Sequence, residues 1–97
     1  MSTETNNDHD IVKVLELSTC HVSLETSQAM NADTIDWPMD NVDYGWLVYC
    51  RFADAEDLKR LPKDLAAAIR MGHERGCKFL KFDCDASIID GLTEYLW

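Results

Sequence analysis

Basic residues are almost missing from the first half of this chain. Residues 1–45 carry nine acids (Glu4, Asp8, Asp10, Glu16, Glu25, Asp33, Asp36, Asp40, Asp43) against the single base Lys13, a net charge of −8. Residues 46–97 carry nine acids and eight bases, a net of −1. A field of that sign repels nucleic acid and anionic membrane, and it attracts basic protein surfaces. Long apolar runs are missing too. Stretches such as Trp46–Tyr49 fall far short of the roughly 20 residues that span a bilayer. The opening MSTETNNDHD has neither the basic region nor the apolar core of a secretory signal, so the expected location is cytoplasmic. P-loop, GxGxxG and GxSxG motifs are absent, which removes the usual phosphate cradles and the hydrolase elbow. No cysteine pair has CxxC spacing and no DxDxDG run ends in Glu, so neither a zinc knuckle nor a calcium loop is written in the chain.

What is present describes one domain. Ninety-seven residues with 46% apolar content bury about two thirds of the unfolded surface, enough for a single core. Residues 1–10 are polar and read as a flexible arm, leaving residues 11–97 as the folded domain. The expected class is α+β. Ile11–Leu17 reads as a half-buried strand, and Ser23 as the N-cap of a short helix over Leu24–Met30. Residues 31–43 read as a long acidic loop because Pro38 disfavours helix at Trp37. Tyr44–Phe52 alternates with large apolar groups on both faces, the mark of a central strand. Asp54 is placed to cap a short helical turn. Pro62 is expected at the first position of the main helix, whose stripe is Leu61, Leu65, Ala68, Ile69 and Gly72, with Gly76 at its end. Cys77–Asp83 reads as a third strand, and Ile88–Trp97 as a closing segment packed back on the sheet through Ile89, Leu92, Tyr95 and Leu96. The simplest architecture is two-layered: strand, helix, strand, helix, strand, with two helices on one face of a small sheet.

Few residues point to chemistry. Thr19, Cys20 and His21 follow the first strand and precede the first helix, where a thiolate gains from a helix N-terminus and an imidazolium. They are the weak catalytic candidates, set against a packing role. His21, Cys50, Cys77 and Cys84 are metal-ligand types, but spacings of 29, 27 and 7 residues show no ligand pattern, and reduced core cysteines explain them as well. No metal and no cofactor is expected. His73 in MGHERG reads as a helix-end residue that suits the dipole. The bases from Lys59 to Lys81 are interleaved with acids and read as a solvated mixed face, so direct nucleic-acid binding is not expected. The acids Asp33, Asp36, Asp40 and Asp43 surround Trp37 and Met39, and acids ringing an aromatic anchor have the anatomy of a docking surface. Asp33, Asp36, Trp37, Asp40 and Asp43 are therefore the candidate partner-binding residues.

The strings LELSTCHVS at 15–23, YGWLVY at 44–49, RGCKFLKFD at 75–83 and the terminal YLW together resemble a family of small uncharacterised bacterial domains. That resemblance implies an intact single domain carried by plasmids, phages or other mobile elements, and it brings no established activity and no catalytic residue. Ser18, Thr19 and His21 match its Ser-Thr-x-His run. The expected function is an acidic accessory protein that binds and inhibits a basic, nucleic-acid-handling host protein. Surface carboxylates would stand where phosphates lie, as in anti-CRISPR-like anti-defence proteins. The alternative is a small enzyme or ligand-binding domain using Thr19, Cys20 and His21. A homodimer through an edge strand or the segment ending in Trp97 is a third expectation.

Overall fold

The structure is a computed structural model that describes residues 11–52 and 54–97. The arm expected over residues 1–10 lies outside the described residues. Four strands form one sheet: β1 (Val14–Ser18), β2 (Met39–Val42), β3 (Gly45–Tyr49) and β4 (Phe79–Asp83), in the spatial order β1-β4-β3-β2. The central pair is β3 and β4. β1 runs parallel to β4, whereas β2–β3 and β3–β4 are antiparallel. Two helices, α1 (Leu24–Asn31) and α2 (Lys63–Glu74), and two 3₁₀ turns, Thr19–His21 and Ala55–Leu58, complete the fold.

The class is α+β, but the expected element order needs correction. A fourth strand, β2, occupies what the sequence presents as loop, so the order is strand, helix, strand, strand, helix, strand. The strict two-layer picture also gives way, because 3₁₀ turns and the irregular C-terminal segment join the helices in covering the sheet. One face of the sheet makes the core. Leu17, Trp46, Val48, Leu80 and Phe82 pack there with Met30 of α1 and Leu65, Ala68 and Ile69 of α2. Trp46 meets Phe82 edge to face, their ring centroids 6.1 Å apart. At about 25 cal/mol per Å², burying each such side chain favours folding by about 2 kcal/mol.

Local chemistry explains the helices. The Ser23 hydroxyl accepts from the Thr26 N–H at 3.2 Å, a standard N-cap. Leu24 and Gln28 face solvent, and the buried side of α1 is Thr26, Ser27 and Met30. α2 buries the expected stripe. Its start lies one residue later than expected: Pro62 is the N-cap, with an extended ψ of 142° and no side-chain cap. Asp64 in the first turn serves both helices. Its carboxylate accepts from the Ser23 N–H (2.7 Å), the Thr26 hydroxyl (2.9 Å) and the Leu65 N–H (2.9 Å). Gly76 ends α2 at φ +77°, the left-handed conformation the sequence assigns to it.

The closing segment packs back through part of the expected set: Ile89 and Leu92 pack on the core, but Leu96 is 98% exposed. The segment is tied to the 3₁₀ turn after β1. The Tyr95 N–H donates to the Cys20 carbonyl at 2.8 Å, and the Trp97 indole N–H donates to the Val22 carbonyl at 2.8 Å.

Candidate functional site

The Thr19–His21 run forms a 3₁₀ turn, and its histidine is occupied. His21 is buried. Its Nδ1 lies 2.9 Å from the Thr93 carbonyl, and its Nε2 accepts the Ile89 N–H at 2.9 Å. An acceptor role at Nε2 fixes the proton on Nδ1, so a neutral imidazole bridges two points of the closing segment. Neither nitrogen is left to move a proton. Cys20 is half-buried, its N–H donating to the Ser18 hydroxyl at 3.1 Å. Thr19 lines a cleft that His21 does not reach.

The four cysteines are all free thiols, and they do not converge. Cys50 and Cys77 are buried neighbours, the Cys50 thiol donating to the Cys77 carbonyl at 3.0 Å. Burial pushes the Cys50 thiol from 9.0 up to about 11, with Cys77 adding to the rise and Arg51 offsetting part of it. Such a thiol stays protonated and inert at neutral pH. Cys84 is exposed between Asp83 and Asp85, and the ligand-type atoms of these three residues lie within 4.8 Å of one another. His21 belongs to a different end of the molecule from Cys50 and Cys77, so the mixed His/Cys set considered from the sequence is not assembled.

The acidic segment is better ordered than a loop. Asp33 closes α1 in the left-handed region at φ 57°. Asp36 is exposed and lies 3.5 Å from the exposed Arg60 guanidinium, a pairing worth at most about 1 kcal/mol in solvent. Asp40 stands on β2 opposite Leu47, and Asp43 occupies the two-residue turn that joins β2 to β3. Among the described residues, Asp33, Asp40 and Asp43 form no ion pair. β2 is an edge strand, so its outer backbone groups face outward beside these carboxylates.

Trp37 does not project as expected. Its indole N–H donates to the Tyr49 carbonyl, and the ring is half-buried against the core together with Met39. The Tyr49 N–H donates in turn to the Pro38 carbonyl at 3.1 Å. Trp37 therefore fixes the entry to β2. The large side chain that does project is Tyr44, 71% exposed at the hairpin tip. Its φ of 69° is uncommon for a bulky residue and costs about 1–2 kcal/mol. At the next position a Cβ on Gly45 would sit 1.7 Å from the Phe82 carbonyl oxygen, so glycine is required where β3 presses on β4.

Behind the hairpin tip, at the C-terminal ends of the parallel pair β1 and β4, lies an open cleft of about 410 Å³. Tyr44, Trp46 and Trp97 contribute its aromatic walls, and Thr19, Asn31 and Asn41 its polar groups. The Asn31 side-chain oxygen accepts the Trp46 indole N–H at 3.0 Å, which orients both residues. The sheet face opposite the core also carries shallow grooves beside Leu47, with Asp40, Tyr49 and Phe79 in one and Asp43, Tyr44 and Lys81 in the other. Sequence reasoning missed both the cleft and Tyr44, since the positions that build them are far apart in the chain. Among the described residues no helix is long and apolar enough to cross a membrane.

No curated protein and no solved structure matches the chain. Residues 14–97 match the C-terminal domain of the family of unknown function DUF5983, and the chain belongs to that family.

Proposed function

We propose that this chain is an acidic protein-binding domain whose β2–β3 hairpin docks on a basic partner, and that its biological role is inhibitory. The observation that carries this reading is the concentration of carboxylates on and beside an exposed edge, all but Asp36 without an ion pair among the described residues. Asp40 and Asp43 sit on and beside an edge strand, Asp33 and Asp36 lead into it, and only Asp36 has a counter-charge among the described residues. Three residues of extended chain cover about 10 Å, so Asp40 and Asp43 are spaced to meet separate cations on one partner surface. The −8 charge of residues 1–45 would steer a basic partner towards this side and speed its association.

The partner chemistry that fits is a nucleic-acid-handling surface, where lysines and arginines are arrayed for phosphates. Carriage by a mobile element and action against a host defence system, in the manner of an anti-CRISPR protein, would account for such a target. The enzyme alternative has less support. Both ring nitrogens of His21 are engaged by backbone groups, and no hydrogen bond or ion pair among the described residues joins Cys20 to a basic side chain.

Capture from lysate of the native host, eluted across a salt gradient and identified by mass spectrometry, tests the reading. A stoichiometric basic protein released by moderate salt supports it. An empty capture, or an acidic partner retained at high salt, contradicts it.

A further inference from the structure

The cleft behind the hairpin tip is a site of a different kind from the acidic edge, and it stands on its own geometry. Three aromatic residues that are distant in sequence, Tyr44, Trp46 and Trp97, line one concavity of about 410 Å³, within the range of small-molecule sites. Its position outside the carboxyl ends of two parallel strands is where open sheets with crossover helices hold ligands. Tyr44 and Trp97 are 71% and 54% exposed, so both rings keep surface available to a ligand. Trp97 is held in place by its bond to the Val22 carbonyl, and Trp46 by its bond to Asn31. Tyr44 is held out by a backbone conformation that glycine would adopt at lower cost.

Charge selects among ligands. Among the described residues no charged side chain lines the cleft, but carboxylates flank it. Asp43 precedes Tyr44, and the Cys84 sulfur on the cleft wall lies within 4.8 Å of carboxylate oxygens of Asp83 and Asp85. Asp43 and Asp83 also line the adjoining groove on the open sheet face, where the one base, Lys81, lies 3.8 Å from Glu16. Loss of hydration first, and then the neighbouring carboxylates of Asp85 and Asp83, raise the Cys84 thiol above its ordinary value of 9.0. Phosphate-bearing and other anionic ligands are repelled. Aromatic faces within a negative field attract weakly hydrated organic cations through the ring quadrupole.

We propose that this cleft binds a methylated ammonium head group, with Tyr44 and Trp97 as the faces that enclose it and Asp43, Asp83 and Asp85 supplying the surrounding negative potential. The head group can belong to a free small molecule or to a methylated lysine side chain, and both present the same chemistry to the rings.

The test is titration of the full chain with choline, and in parallel with 3,3-dimethylbutan-1-ol, its uncharged isostere, followed by ¹H–¹⁵N chemical shifts and tryptophan fluorescence. Saturable shifts at Tyr44, Cys84 and Trp97, with choline at least about five-fold tighter than the isostere, are expected. A trimethyllysine peptide in a third arm assigns the source: tighter binding than choline points to a protein side chain, and equal or weaker binding to a free small molecule. The variant Tyr44→Gly should fold with an unchanged or slightly raised melting temperature and lose choline binding. No saturable shifts, equal affinity for choline and the isostere, or choline binding that survives Tyr44→Gly would each overturn the proposal.

Discussion

The backbone N–H of Ile89 donates to Nε2 of His21 across 68 positions of sequence, at 2.9 Å. With the Thr93 carbonyl at Nδ1, this one imidazole fastens the C-terminal segment to the turn after β1. His21→Ala should therefore cost about 2–4 kcal/mol, since it opens a buried space and strands an N–H and a carbonyl that were paired. Urea denaturation measures the loss. Hydrogen exchange should show it concentrated in residues 88–97, with the sheet keeping its protection.

Gly45 and Tyr44 should respond in opposite directions. Gly45→Ala places a methyl group against the Phe82 carbonyl oxygen, and separating β3 from β4 to make room should cost about 2 kcal/mol or more. Tyr44→Gly removes left-handed strain worth about 1–2 kcal/mol and adds chain entropy costing about 0.5–1 kcal/mol. Its net effect should be near zero or slightly stabilising. Thermal melts of the two variants decide the point.

The same turn marks what the sequence makes legible. The α2 stripe and the alternation through Trp46, Val48 and Cys50 are strong periodic signals, and the structure buries each of those positions. β2 has no such signal. It presents Met39 and Asn41 to one side and Asp40 and Val42 to the other, directly after a proline, and only its pairing with β3 makes it a strand. The closing segment is held by hydrogen bonds to Cys20, His21 and Val22, and hydrogen-bond partners leave no period to read. The acids of the candidate edge were legible as residue types. Their anchor was not: Trp37 looks like the exposed aromatic in the sequence, yet it packs inward while Tyr44 projects.

Thiol chemistry should divide the cysteines by burial. Under native conditions at pH 8, a maleimide should modify Cys84 and, more slowly, half-buried Cys20, while Cys50 and Cys77 react only after unfolding. Because the folded Cys50 thiol titrates near 11 against 9.0 ordinarily, its contribution to stability is fully present below pH 9.0. The unfolded chain releases that proton first, so the contribution is lost as pH rises from 9.0 towards about 11. Denaturation midpoints measured across that window for wild type and Cys50→Ala should converge with rising pH.

Asp64 should prove structural although it is one of the acids of the chain. It accepts three hydrogen bonds that join the N-termini of α1 and α2. Asp64→Ala should cost about 2–3 kcal/mol by leaving the Ser23 and Thr26 donors unpaired. Partner affinity, measured at a temperature where the variant remains folded, should be unchanged.

The central claim, that carboxylates on the β2 edge bind a basic partner, is tested most directly by neutralising them together. In the variant Asp33→Asn/Asp36→Asn/Asp40→Asn/Asp43→Asn the fold should persist, because Asn tolerates both the left-handed position at 33 and the turn at 43. The measurement is the dissociation constant of the captured partner for wild type and variant at low and high salt. At low salt the variant should bind at least about ten-fold more weakly, a loss of about 1.4 kcal/mol, and its affinity should depend less on salt than that of the wild type. Equal affinities with equal salt dependence, in a variant shown to be folded, would contradict the account.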